Sequence, residues 1–296
     1  MREGTHSGPL TPEERMAYFT VPPVVYKFLG PLRGPRTLQD MKIKCTPPSE
    51  FDDVFDSVHV EELLVEELNV PGQNFYFELS HPSGMPIGDR DAWRAWLQKS
   101  VDLYPGFGVD AVILCPPVPN HAALMDFRNS FLSALEHLEG VQTVLSLTDQ
   151  PLNKLMWDRY GNGHRGFAVG FDTHSPMFQV GGYPALRKVI YSAEPPRGPR
   201  EVISWRRWLV KSHVYEYESE WRGRYPSKVL EEAVGDEGQS IFLKSIPPGA
   251  IKSVLLGCRI DSNTEEQVMA AVEPGVEVWR CVMGEGTYEL KLERVV

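Results

Sequence analysis

The sequence predicts an α+β protein: a mainly antiparallel β core carrying one helical insertion. Two observations support this. Strand-like runs bounded by Gly and Pro cluster before residue 57 and after residue 140, while amphipathic helical patterns fill most of the stretch between. Strands and helices also do not alternate regularly, as a doubly wound parallel sheet would require. At 296 residues, 42% hydrophobic and 24% charged, the chain suits one large domain with an insertion, or two small ones. We place an N-terminal arm at 1–24 and a single α+β domain at 25–296, with the insertion at about 57–140.

Residues 1–22 are polar and contain Pro9, Pro12 and Pro22, which predicts an irregular arm with one short helix near Pro12. Residues 24–29 read as a strand, Gly30-Pro31 and Gly34-Pro35 as a turn-rich connection, and 41–46 as a second strand. An acidic loop follows at 47–56. Within the insertion, Asp91 caps a helix carrying Trp93, Trp96, Leu97 and Val101 at core spacing. Asn120 caps another with Leu124, Phe127, Phe131 and Leu135 on one stripe, and 110–115 is a short apolar run between them. Beyond 140, segments 141–147, 166–172, 187–192, 240–243 and 252–257 read as strands, and 153–160 and 202–212 as helices. Ser262 with Glu265 forms a capping-box pattern that opens a helix to about 272. Segments 276–283 and 287–296, joined by Gly284-Glu285-Gly286, read as a closing hairpin.

A net charge of −10 and a pI near 5.4 argue against a general nucleic-acid binder. No apolar run reaches the roughly 20 residues needed to span a bilayer, and the first residues lack the apolar core of a signal peptide. The cytoplasm is therefore the expected compartment, and no membrane partner is expected. Cys45, Cys115, Cys258 and Cys281 show no CxxC spacing, which argues against a zinc knuckle and for reduced, structural thiols.

The most informative stretch is Tyr215-Glu216-Tyr217-Glu218-Ser219-Glu220-Trp221-Arg222. Read as a strand, it lines Glu216, Glu218, Glu220 and Arg222 along one face, with the carboxylates roughly 6.5–7 Å apart. Such a row repels itself unless water, a metal, a basic partner or a substrate uses it. A solvated strand face with Arg222 neutralising Glu220 gives the same alternation, and a helix would instead pair Glu216 with Glu220.

Three other polar clusters compete with it: Asp52, Asp53 and Asp56 of the acidic loop; Ser146-Leu147-Thr148-Asp149; and residues 156–166. In the last, Trp157 and Tyr160 at i, i+3 share a helix face able to stack on a planar ring, or to anchor the helix in the core. Asn162, His164 and Arg165 follow between glycines, although a lone His is more often a loop hydrogen-bonder than a ligand. The aspartates lack calcium-loop spacing, and no P-loop, GxGxxG, GxSxG or HExxH pattern occurs.

Taken in order, these clusters resemble a known family. Val25-Tyr26-Lys27-Phe28 and Phe51-Asp52-Asp53-Val54-Phe55-Asp56 resemble its opening and its Phe-Asn-Asp-Pro-Phe-Asp box. Ser146-Leu147-Thr148, Met156-Trp157-Asp158-Arg159-Tyr160, 166–172, Lys188-Val189-Ile190-Tyr191, and Lys211 with 215–222 continue the likeness. The family is the largely bacterial domain of unknown function 2971, and the resemblance spans about 25–295. Departures are Asp52 for the usual Asn, Val54 for Pro and Tyr215 for Trp.

More distantly, the order of the boxes is similar to that of ADP-ribosyltransferase folds, though the first position lacks their usual His or Arg. That resemblance implies two facing sheets in a split-barrel-like core, NAD as substrate and no metal. It implies Tyr26, Lys27, Thr148, Trp157, Tyr160 and His164 as residues holding the dinucleotide, and Glu218 and Glu220 as catalytic carboxylates. Glu220 would stabilise the ribosyl cation and Glu218 would position or deprotonate a protein or nucleic-acid acceptor. The expected setting is stress response, toxin action or phage defence. Two other readings stand beside it. One is a metal-dependent phosphodiesterase or nuclease using Asp52, Asp53, Asp56, Glu218 and Glu220, with or without His164. The other is a non-enzymatic ligand-sensing or interaction module.

Overall fold

The computed structural model describes residues 20–51, 53, 56, 142–180, 183–193, 209–236 and 238–295. The expected helical insertion at about 57–140, the arm before residue 20 and Asp52 lie outside the described residues.

The fold is α+β and mostly antiparallel, as its strand patterns predict. An eight-stranded sheet is built from β1 (Val24–Leu29), β3 (Gln142–Thr148), β4 (Phe167–Asp172), β7 (Leu186–Lys188), β10 (Glu220–Pro226), β13 (Ile251–Leu256), β14 (Glu277–Met283) and β15 (Leu290–Arg294), in the order β15-β14-β13-β4-β1-β3-β10-β7. β13 and β14 are its parallel neighbours, joined through α3 (Ser262–Ala271). A second sheet of three strands has β12 (Ser240–Ser245) between β11 (Glu231–Val234) and β2 (Lys42–Cys45). Two short pairs are the remaining strands among the described residues: β5 (Gln179–Val180) with β6 (Tyr183–Pro184), and β8 (Ile190–Ser192) with β9 (Val210–Ser212).

Both faces of the large sheet are covered, which is why its central strands are almost continuously apolar. One face packs Val25, Leu145, Leu147, Phe167, Val169 and Trp221 with Ile43 and Cys45 of the small sheet. The other packs Phe28, Ala168 and Leu255 with Met156 and Trp157 of α2 (Lys154–Arg159). The Trp157 ring meets Phe28 edge-on at 4.9 Å, and its indole N–H donates to the Pro151 carbonyl at 2.8 Å.

Several local expectations are corrected. Gly34-Pro35 opens a short helix, α1 (Gly34–Gln39), because a proline in the first turn lacks only an N–H that would be unpaired there. The cap of α3 is Asp261, one residue before the expected Ser262. Its carboxylate accepts the Thr264 N–H at 2.9 Å, while Glu265 reaches Arg280 of β14. The tail of the expected 202–212 helix is strand β9, because Val210–Ser212 pairs with Ile190–Ser192. Segment 187–192 breaks at Val189, whose N–H bonds Glu220 O, so β7 and β8 join different sheets.

The largest correction concerns 215–222. Residues His213–Glu218 form a 3-10 helix, Ser219 adopts the left-handed conformation at φ 42°, and β10 begins at Glu220. Of the carboxylates expected in one row, Glu216 is exposed, and Glu218 and Glu220 are buried on different elements.

The turn from α2 into β4 is a close backbone crossing. A Cβ at Gly166 would lie 2.0 Å from the Leu29 carbonyl oxygen, so backbone and not a flexible side chain would have to move. Gly166→Ala is expected to destabilise the fold by at least about 2 kcal/mol in urea denaturation.

Candidate active site

A fork in the large sheet creates the site. β1 pairs with β4 along its whole length, but its register with β3 is one position, Tyr26 opposite Thr148. Farther along the same edge of β3, Val144 exchanges two backbone hydrogen bonds with Thr46, each 2.8 Å. Backbone groups of a strand alternate between its edges, so Ser146, midway between Val144 and Thr148, turns its N–H and C=O into the gap. Lys27 Nζ donates to that carbonyl at 3.0 Å.

Around this gap lies a cavity of about 330 Å³. Tyr26, Lys27 and Phe28 of β1 line it together with Ser146 and Leu147 of β3. Successive residues of a strand point to opposite faces, so a cavity touching three in a row opens on the strand edge. Gly170 stands opposite Tyr26 in the register, and a Cβ there would come within 2.8 Å of the Tyr26 ring. The glycine leaves room for that tyrosine.

The wall facing the fork is a buried ion network. Arg222, 1% exposed, donates through Nε and Nη2 to the two Glu220 oxygens at 2.8 and 3.1 Å. It also grips Asp56, with Nη1 at 2.9 Å from Oδ1 and a second contact from Nη2 to Oδ2. Lys211 Nζ sits 2.6 Å from Glu218 Oε2, 3.1 Å from Glu220 Oε2 and 3.8 Å from Asp56 Oδ2. The Tyr160 hydroxyl donates to Glu218 Oε1 at 2.6 Å. Below Glu220, its own backbone N–H donates to the Tyr191 hydroxyl at 2.8 Å.

These contacts set the charge states. Burial pushes the Glu220 carboxyl up, but Arg222 and then Lys211, with the Ser146 hydroxyl adding a hydrogen bond, outweigh it and hold it at about 2. Burial opposes the Arg222 and Lys211 charges, yet the facing carboxylates raise both. Burial and the adjacent Glu218 raise the Tyr160 phenol, which therefore stays a hydrogen-bond donor at neutral pH. Glu220 thus receives four donors, close to what a carboxylate accepts. Among the described residues Glu218 receives two, from Tyr160 and Lys211, so it retains acceptor capacity, and it lines the cavity.

The mouth is aromatic and cationic. Tyr215 and Glu218, three apart on the 3-10 helix, share a face and both line the cavity. The Tyr215 ring lies between Arg159, 5.3 Å from its centroid, and Lys211, 4.8 Å from it. Arg222 lies 5.2 Å from the Phe51 ring centroid.

The structure therefore brings Tyr26, Lys27, Tyr160, Glu218 and Glu220 to one cavity. Thr148, Trp157 and His164 are not among its lining residues. Thr148 is fully buried and its hydroxyl accepts the Gln150 N–H. Trp157 is fully buried in the core, and the His164 ring stacks parallel to it at 6.1 Å. The polar turn around His164 closes on itself, with the N–H groups of Gly163, His164 and Gly166 bonding the carbonyls of Asp158, Trp157 and Gly161. Sequence reasoning passed over the central place of Asp56, Lys211 and Tyr191. Their signal was present in the ordered boxes, but spacing alone could not pair Asp56 with Arg222 across 166 residues.

Set against protein-family models, curated proteins and solved structures, the chain gives no match. The likeness to the domain of unknown function 2971 and to ADP-ribosyltransferases thus rests on the ordered boxes quoted above.

Arg222→Met would strand Asp56 and Glu220 as buried carboxylates short of their main partner. A loss of about 3–5 kcal/mol is expected in chemical denaturation, against about 0.5 kcal/mol or less for Glu216→Gln at an exposed position. A pH titration reads Glu220 separately. Its folded value, about 2, lies below its ordinary 4.5. Its stabilisation is complete above 4.5 and is lost as pH falls through about 2. The wild-type melting temperature should drop across that window, and the slope should be shallower in Glu220→Gln.

Proposed function

We propose that the fork is the active site of an enzyme that cleaves the N-glycosidic bond of NAD and passes ADP-ribose to an acceptor. The observation that carries this reading is the convergence of Tyr26, Tyr160, Glu218 and Glu220, from three separate chain segments, on one cavity. Its volume of about 330 Å³ is within the range of small-molecule sites and suits the nicotinamide-ribosyl end of the dinucleotide. Tyr26, Phe28 and Tyr215 supply aromatic surface for a planar ring.

The geometry favours Glu218 over Glu220 as the reacting carboxylate. Glu220 is engaged by Arg222, Lys211 and Ser146, so its role is to hold Lys211 and the wall of the cavity. Glu218 keeps lone pairs for a ribose hydroxyl, and its negative charge stabilises the cation that forms as the C–N bond breaks and nicotinamide leaves with the bonding pair. An acceptor oxygen or nitrogen then bonds to the anomeric carbon and releases its proton to a base. Tyr160 positions Glu218 through the 2.6 Å hydrogen bond.

The metal-dependent alternative would use Asp52, Asp53, Asp56, Glu218 and Glu220, with or without His164. Of these, Asp56, Glu218 and Glu220 already hold Lys211, Arg222 or both, and His164 is not among the residues lining the cavity.

Nicotinamide release from NAD, followed chromatographically, tests the proposal. Wild type should release it, and Glu218→Gln should lower the rate by at least about 100-fold while keeping the wild-type circular dichroism spectrum. Glu216→Gln should match wild type. Folded wild-type protein that neither releases nicotinamide nor modifies an acceptor would overturn the reading, as would full activity in Glu218→Gln.

A further inference from the structure

Among the described residues, five cations line the cavity, and four of them are committed to nearby groups. Lys44 pairs with Glu50 at 3.2 Å, Lys211 with Glu218 and Glu220, and Arg222 with Glu220 and Asp56. Arg159 donates to the Tyr217 hydroxyl at 3.2 Å and lies over the Tyr160 and Tyr215 rings. Of the three lysines, Lys27 differs: among the described residues it meets no carboxylate, and its hydrogen bond goes to the Ser146 carbonyl at 3.0 Å, inside the fork.

We propose that Lys27 is a nucleophilic amine that captures small hydroxylated aldehydes or ketones as imines within the fork. The inference shares the cavity of the proposed glycosidic reaction but does not depend on that reaction.

The electrostatics support the geometry. Burial holds the Lys27 ammonium below the ordinary lysine value, and the Lys44 and Lys211 charges act in the same direction. Glu220 and Cys45 oppose them. The Glu220 charge is shared with Arg222 and Lys211. Burial pushes the Cys45 thiol up to about 12, so at neutral pH it carries no charge with which to hold the ammonium. A desolvated lysine beside other cations is the setting in which an amine becomes nucleophilic.

The step balances without a cofactor. The uncharged Nζ adds its lone pair to the carbonyl carbon, forming a C–N bond as the carbonyl π pair moves to oxygen. The resulting carbinolamine loses water, which carries away the carbonyl oxygen and both amine hydrogens, and an imine remains. The polar lining, with Tyr26, Thr46 and Ser146 close to Lys27 along the fork, suits a carbonyl compound bearing hydroxyl groups over an apolar one.

The test uses folded full-length protein, glycolaldehyde as the probe and cyanoborohydride to trap the imine, with the adduct located by peptide mass spectrometry. No NAD is present, so this result and the nicotinamide assay can fail independently. At pH 7, Lys27 should be labelled about tenfold faster than surface Lys252, as a desolvated, more nucleophilic amine would be. Its rate should rise to a plateau at lower pH in the folded protein than in urea, and unfolding should abolish the advantage. Lys27→Arg should remove the labelled peptide while the surface lysines react as before. Labelling of Lys27 no faster than Lys252 at pH 7, or equal labelling in folded and unfolded protein, would overturn the proposal.

Discussion

Burying a guanidinium costs several kcal/mol unless opposite charge and hydrogen-bond acceptors come with it, and Arg222 is buried on β10, between β3 and the edge strand β7. Much of the local architecture follows from that requirement. Asp56 must arrive from the loop that precedes the insertion, and Glu220 must stay two residues away on the same face of β10. Two carboxylates then meet around one guanidinium, and Lys211 reaches both as a second cation. To bring Glu218 to that lysine as well, the chain turns through a left-handed Ser219 instead of continuing as a strand. A residue without the freedom of glycine held there stores local strain, and such strain tends to sit where function needs a fixed geometry.

The cavity has a separate origin, in the competition for one edge of β3. β1 claims that edge at Thr148 and Thr46 claims it at Val144, and neither reaches Ser146. The gap is closed by the Lys27 ammonium in place of a ladder hydrogen bond. Site and fold are therefore coupled: the fork would disappear if β1 followed β3 for two more residues. The ion network forms one wall, and the split sheet forms the other.

Where local reasoning failed, the failures have physical causes. Tyr-Glu-Tyr-Glu satisfies a period of two, but a 3-10 helix with a period of three also places Tyr215 with Glu218, and the buried Lys211 selects the second arrangement. Trp157 and His164 look like ligand contacts because aromatic and polar residues crowd a glycine-rich turn. Backbone hydrogen bonds satisfy that turn, and the indole fills the space beneath β1. Val189 breaks a plausible strand because its N–H is taken by Glu220.

The α+β class, most strands of the large sheet, the α2 and α3 helices, and the crowding of charge at Glu218–Arg222 are legible in the sequence alone. Those features rest on periodicity, capping and turn chemistry, which act over a few residues. That Tyr26, Lys27, Tyr160, Glu218 and Glu220 share a cavity, and that Thr148, Trp157 and His164 stand outside its lining, emerges from the packing of distant segments. That packing also sets which carboxylate keeps lone pairs to offer. The reason is that edge pairing and the neutralisation of buried charge are settled between segments far apart in the chain, here residues 27 with 146 and 56 with 222, and no local pattern records them.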